Sequence, residues 1–220
     1  MISTKNLLLL PTINHLKALT QSLALLDTIL SPDWEYRYWS FNAHWDANQT
    51  VASMRNGSGD DLYIMFTPVG AIIKGFAHES VMSPYSQNPP AIWAGVLDDV
   101  PEVFSGFLSE PAFSPLDITF CIWRTYNDIT WQCGEIAFPE SEDPDGSVGL
   151  LALLDGNPGT YQTWAEYYYE RPVSLSAITH IYQHRPLTQE LIAKLNPQVT
   201  REELLEDVRE IGYPNREIAF

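Results

Sequence analysis

Several short stretches carry residue types that could do chemistry. His78-Glu79-Ser80 places an imidazole, a carboxylate and a hydroxyl side by side, the set used in hydrolysis. Adjacent residues of an extended chain point apart, whereas a triad converges in space. No Gly-x-Ser-x-Gly elbow occurs anywhere in the chain. Glu140-Ser141-Glu142-Asp143-Pro144-Asp145-Gly146 is dense enough in carboxylates to suggest Ca²⁺. In an EF-hand register, however, Ala152 falls where the bidentate Glu belongs. His180 and His184 stand one helical turn apart and could clamp a metal from one helix face, yet no third ligand is indicated. Asn56-Gly57-Ser58-Gly59 could cradle a phosphate. But Asp60-Asp61 follows at once and would repel it, so the stretch is expected as a hairpin turn.

Charge narrows the partners. The 220 residues carry 12 Lys and Arg against 28 Asp and Glu, a formal net charge of −16. Between Gly75 and Glu170 there are fifteen acidic residues, and Arg124 is the sole Lys or Arg. Nucleic acid and anionic lipid need a basic face, so neither is an expected partner. An acidic surface suits cations or a basic protein. No stretch approaches the length of a membrane span. Pro11 halts the leucines that follow Lys5 before a signal-peptide pattern can form. With two cysteines in all, the expected setting is the cytoplasm with reduced thiols, and no cofactor is indicated.

These groups need a scaffold, and 45% hydrophobic with 12% aromatic residues can bury a sizeable core. The stretch from Val51 to Tyr85 reads as three consecutive antiparallel strands and a loop. Leu62–Phe66 and Ala71–Phe76 are apolar on both faces, which predicts a sheet covered on both sides, with Lys74 and Gly75 near a solvated end. Trp34–Phe41 is expected as a preceding strand. Before it, Leu16, Leu19, Leu23, Leu26 and Leu30 recur every three or four residues and form the stripe of a helix beginning after Thr12. Ala91–Asp98 and Pro101–Leu108 look like short helical pieces. Asp117–Arg124 and Thr130–Phe138 form a second hairpin. A turn centred on Asn127 would set Cys121 opposite Cys133 and Trp123 opposite Trp131, with the cysteines either reduced in the core or bonded.

From Ser147 onward the pattern is helical, with caps at Ser147, Asn157, Ser174, Thr188 and Thr200. Thr200-Arg201-Glu202-Glu203 is a capping box, closed by Gly212 at the far end of its helix. The whole predicts a single α+β domain over residues 1–220. Its antiparallel sheet has about five or six strands with helices packed on it. It divides at most into a sheet-rich portion over residues 1–139 and a helical portion over residues 147–220.

The run DDLYIMFTPVGAIIKGFAHES with SPY, and the later FCIWRTYND, WQCG and EDPDGS, resemble a family of uncharacterised stand-alone bacterial proteins over most of the chain. That resemblance implies a bacterial cytosolic protein and brings no activity and no functional residue. In composition and architecture the chain also resembles bacterial toxin-immunity proteins. The expected function is a non-catalytic acidic binding protein, immunity- or regulator-like. Asp98, Asp99, Glu102, Glu140, Glu142, Asp143 and Asp145 would meet a basic protein partner, with Tyr85 and Trp93 as anchors. The alternative is a hydrolase-like enzyme with its site at the loop from His78 to Tyr85.

Overall fold

The computed structural model describes residues 1–214. Six strands among them form one antiparallel meander: β1 (Trp39–Asp46), β2 (Gln49–Arg55), β3 (Asp61–Phe66), β4 (Gly70–Phe76), β5 (Phe120–Thr125) and β6 (Gln132–Cys133), side by side in chain order. Helix α1 (Ile13–Leu30) lies against one face. The later helices gather around it: α3 (Ser147–Leu150), α4 (Pro158–Tyr168), α5 (Leu175–Tyr182), α6 (Gln189–Leu195) and α7 (Leu205–Ile211). The opposite face is covered by residues 82–118, mostly irregular, with short 3₁₀ turns and the single turn of α2 (Ser105–Leu108). This is the α+β architecture expected, mainly helical towards the C-terminus.

Helix α1 is more central than its leucine stripe implies. All five leucines are buried, and from Ser22 to Leu30 every residue is. The polar residues among them need partners inside. Thr28 Oγ1 donates to Ala24 O at 2.8 Å, and Ser22 Oγ to Ala18 O at 3.1 Å. Asp27 accepts from Trp39 N–H at 2.7 Å and from the Tyr161 hydroxyl at 2.5 Å, joining helix, sheet and α4. At the helix C-terminus, Ile29 O takes an N–H from Asn196, Leu30 O from Arg171 and Ser31 O from Arg37. Three cationic or amide side chains thus cap the negative end of the helix dipole.

Several expectations about the sheet and its cover are corrected. Trp34–Tyr36 is a 3₁₀ turn, so β1 begins at Trp39. Ala91–Asp98 is a series of turns instead of a helix. The last strand pairs only at Gln132 and Cys133 and not over Thr130–Phe138. There the chain leaves the sheet to support residues 93–98: Trp93 Nε1 donates to Ala137 O at 3.2 Å, and Gly95 and Gly134 approach too closely to admit a Cβ at either position. Finally, the hairpin turn is one residue longer than a centre on Asn127 allows, because Asp128 folds back to accept from Thr125 N–H and Oγ1. Cys133 therefore opposes Ile122 and Trp123 opposes Gln132. A one-residue slip turns every side chain over. Cys121 and Trp123 lie in the loop-side core and Cys133 and Trp131 on the helix side, so the thiols are not neighbours.

Lys74 and Gly75 are not at a solvated end. Every residue of β4 is buried. The Phe120 ring occupies the space a Cβ of Gly75 would need. Lys74, 1% exposed, donates from Nζ to the carbonyls of Phe113 and of Ser114, the latter at 2.9 Å. The covering segment, invisible to strand patterning, folds its own carbonyls over the ammonium. Desolvation lowers the Lys74 pKa to about 8, against the opposing pull of Asp117.

Candidate functional site

The loops at one end of the sheet hold the expected site residues. Asp60 Oδ1 accepts from His78 N–H at 2.9 Å and lies 2.7 Å from the ring Nδ1, a bond that raises the pKa of this exposed imidazole. Asn56 closes the glycine turn on itself: its Oδ1 accepts from Ser58 and Asp60 N–H at 2.8 and 3.1 Å. Those amides face inward and not towards an anion. Glu79 Oε1 stands 3.8 Å from the other ring nitrogen of His78. Ser80 turns away and donates its hydroxyl to Pro144 O at 2.6 Å. These residues form a turn closed by Ser80 N–H on Ala77 O at 3.0 Å, in which Glu79 stays near the His78 ring while Ser80 points away, and Cys133 Sγ faces Thr4 O.

The acidic turn divides in two. Glu140 and Glu142 are exposed. Asp143 accepts from Val148 and Gly149 N–H at 3.1 and 3.2 Å, satisfying the first amides of α3. Asp145 is 1% exposed; it accepts from Ser147 N–H at 3.0 Å and from the Thr4 hydroxyl at 2.5 Å. Asp145 is buried and Asp143 half-buried, and both serve the start of a helix, which the acidic run alone does not reveal.

The remaining carboxylates stand on loops joined by backbone contacts. Backbone contact between Gly95 and Gly134 sets Asp98 and Asp99 beside Glu135. Met82 N–H and the Ser80 hydroxyl both donate to Pro144 O, tying residues 80–82 to the acidic turn. Asp98, Asp99, Glu102, Glu135, Glu140 and Glu142 are all exposed. Val81, Tyr85 and Val103 are about half exposed among them. The Tyr85 hydroxyl donates to Asp117 Oδ1 at 2.6 Å, and its ring packs edge-on against Phe76. Trp93 is half-buried with its indole N–H engaged. Lys5 Nζ lies 4.9 Å over the ring of Phe138, on the chain between Glu135 and Glu140.

The histidine pair is occupied by backbone. His180 Nε2 lies 2.9 Å from Pro186 O, and His184 Nε2 lies 2.7 Å from Ala18 O. Among the described residues no cluster of three His, Cys, Asp or Glu could hold a metal ion, and no helix is long and apolar enough to cross a membrane.

Sequence reasoning passed over a cleft at the edge of the loop-covered face. On that face residues 82–118 pack over β3 to β5, and among the described residues nothing covers the outer reach of β1 and β2. A cavity of about 250 Å³ lies there. Its aromatic wall runs from Trp45 to Phe113 (ring centroids 4.9 Å apart) and on to Tyr63 (4.8 Å). At the other end the Arg55 guanidinium sits 4.5 Å over Trp34. The available signal was the aromatic density of WEYRYWSF and HWD, which a strand reading assigned to packing. A more polar depression of about 750 Å³ at the end of α1 contains Arg37 and Arg171. Arg37 pairs there with Asp207 at 2.7 Å, and both arginines cap helix carbonyls. The chain matches no protein-family model, no curated protein and no solved structure.

Proposed function

We propose that this is a cytoplasmic, non-catalytic binding protein, immunity- or regulator-like. It receives a basic protein partner on the face built by residues 79–85, 93–102 and 134–142. The observation that carries this reading is the company the carboxylates keep. Asp98, Asp99, Glu102, Glu140 and Glu142 stay exposed on loops tied to one another by backbone contacts, and Val81, Tyr85 and Val103 on the same loops are about half exposed. Carboxylates steer and orient a cationic partner, while desolvated aromatic and aliphatic groups supply most of the affinity. The hydrolase-like alternative draws less support, because His78 faces Asp60 and Glu79 while Ser80 donates to a carbonyl.

The test is retention of a partner from the source cell at low salt by immobilised protein. A partner captured through this face releases as salt rises from about 0.1 M to about 1 M, where the screening length falls from about 10 Å to about 3 Å. The variant Asp98→Lys with Glu102→Lys and Glu140→Lys should lose it at low salt. Capture that survives both changes would overturn the reading.

A further inference from the structure

The cleft beside β1 and β2 combines aromatic side chains with several polar ones. Its walls are the faces of Trp34, Trp45, Tyr63 and Phe113. On its floor Ser40 and Ser53 are register partners and point to the same side, with Asn42 next along β1, Arg55 next along β2 and apolar Val51 opposite Asn42. Glu210, from α7, stands at the rim. The Ser40 and Ser53 hydroxyls, the Arg55 guanidinium and the Glu210 carboxylate make no side-chain hydrogen bond among the described residues. The Asn42 amide nitrogen is equally uncommitted, while its oxygen accepts from His44 N–H at 2.7 Å.

We infer that this cleft binds a neutral carbohydrate, one sugar ring resting on the aromatic wall with its hydroxyls on the polar floor. Charge is the first reason. One guanidinium and one carboxylate leave the cleft without net charge, and a molecule of net charge −16 repels an anionic ligand. The hydrogen-bonding pattern is the second. Arg55 and the Asn42 amide nitrogen donate, Glu210 accepts, and the serines do both, which matches hydroxyls that are themselves donors and acceptors. An apolar occupant would strip water from this floor and return no hydrogen bond, at a cost for each group. A sugar presents C–H bonds to a ring face and hydroxyls at its edge, so it satisfies both surfaces at once. Size is the third. About 250 Å³ lies just below the range of drug-sized pockets and suits a single ring, longer chains extending into solvent past the exposed Trp34 and Tyr36.

The experiment is a glycan array probed with the full chain, followed by titration of tryptophan fluorescence with any glycan bound. Trp34 and Trp45 are 58% and 37% exposed and serve as the reporters. The expected result is binding of a neutral glycan, unaffected by about 1 M salt and unaffected by the lysine substitutions at Asp98, Glu102 and Glu140. Trp34→Ala and Arg55→Gln, both at accessible positions, should each weaken it about tenfold. A far-ultraviolet circular dichroism spectrum matching the wild type establishes that each variant is folded. Binding confined to sulfated or sialylated glycans, a neutral glycan held equally well by both variants, or no glycan bound at all would each overturn the inference.

Discussion

On one face of the sheet Asp27 is buried among helices; on the other Lys74 is buried under loops. Each is a carboxylate or ammonium side chain buried in a core, and each is held differently. Asp27 receives donors from two elements of regular structure, the start of β1 and helix α4. Lys74 meets two successive carbonyls of an irregular segment. Desolvation dominates both, raising Asp27 to a pKa of about 7 and lowering Lys74 to about 8. Hydrogen bonds from Tyr161 and Trp39, and more weakly the charge of Arg37, pull Asp27 back down. Asp117, Cys121 and Asp61 pull Lys74 back up. The contrast teaches where the fold depends on a polar group. The helix side uses Asp27 as a joint between three elements, whereas on the loop side one irregular segment wraps its carbonyls around the Lys74 ammonium.

The largest effect should follow from breaking the joint. Asp27→Ala leaves the Tyr161 hydroxyl and the Trp39 N–H buried without an acceptor and should cost about 3 kcal/mol by urea denaturation. Asp27→Asn keeps an acceptor and should cost about 1 kcal/mol near pH 5. The pH profile sharpens this. Asp27 titrates at about 7 in the fold against an ordinary 3.8, so the folded state holds the extra proton between those values. Its contribution is full below about pH 4 and is lost as pH rises through 7, at no more than about 1.4 kcal/mol per pH unit. The difference between wild type and Asp27→Asn should therefore shrink or reverse on going from pH 5 to pH 7.5. A constant difference would show that the carboxylate is not the titrating group.

How far the sequence reveals these two sites follows from the same contrast. Helix α1, the meander, the covering of both faces and the caps at Asn157, Ser174 and Thr188 follow from local pattern, because period and cap chemistry act within a few residues. Lys74 breaks an apolar run and so reads as an end. Its burial depends on Phe113, some forty residues away, which periodicity cannot see. Asp145 and Asp143 read as surface for a related reason: an acidic stretch looks solvated until the amides that it caps are located. The cysteine pairing failed by a single residue, since Asp128 lengthens the turn and one position exchanges the two faces. The cleft escaped because its walls come from four separate stretches of chain, brought together where the cover over β1 and β2 is incomplete among the described residues.

Lys74 provides the middle effect. Lys74→Met keeps the stem and removes the charge, and should leave stability within about 1 kcal/mol of wild type at pH 7. The folded state gives up the lysine proton at about 8 and the unfolded chain near its ordinary 10.5. The wild-type contribution is thus full above 10.5 and is lost as pH falls through 8. The methionine variant should lack the rise in stability that the wild type shows between those values. If Lys74→Met proves as costly as Asp27→Ala, the loop side depends on its ion as much as the helix side does, and the contrast fails.

The smallest effect tests whether the helix side is also held by local terms of ordinary size. The Thr200 hydroxyl accepts from Glu203 N–H at 3.4 Å, while Glu203 Oε2 accepts from Thr200 N–H and from its hydroxyl, each at 2.8 Å. Thr200→Ala removes the long bond and the hydroxyl donor but leaves Glu203 bonded to the backbone amide. The loss should therefore lie at or below about 1 kcal/mol, and Thr200→Ser should restore it. Those bonds also hold the Glu203 carboxyl below its ordinary pKa. Its contribution, present at neutral pH, fades as pH falls through that lowered value, so the penalty of Thr200→Ala should shrink in acid, where that of Asp27→Ala is largest. Those bonds close a surface turn ahead of α7, which begins at Leu205, and opposite trends of the two penalties on acidification are what separate such an exposed carboxylate from one buried as a joint.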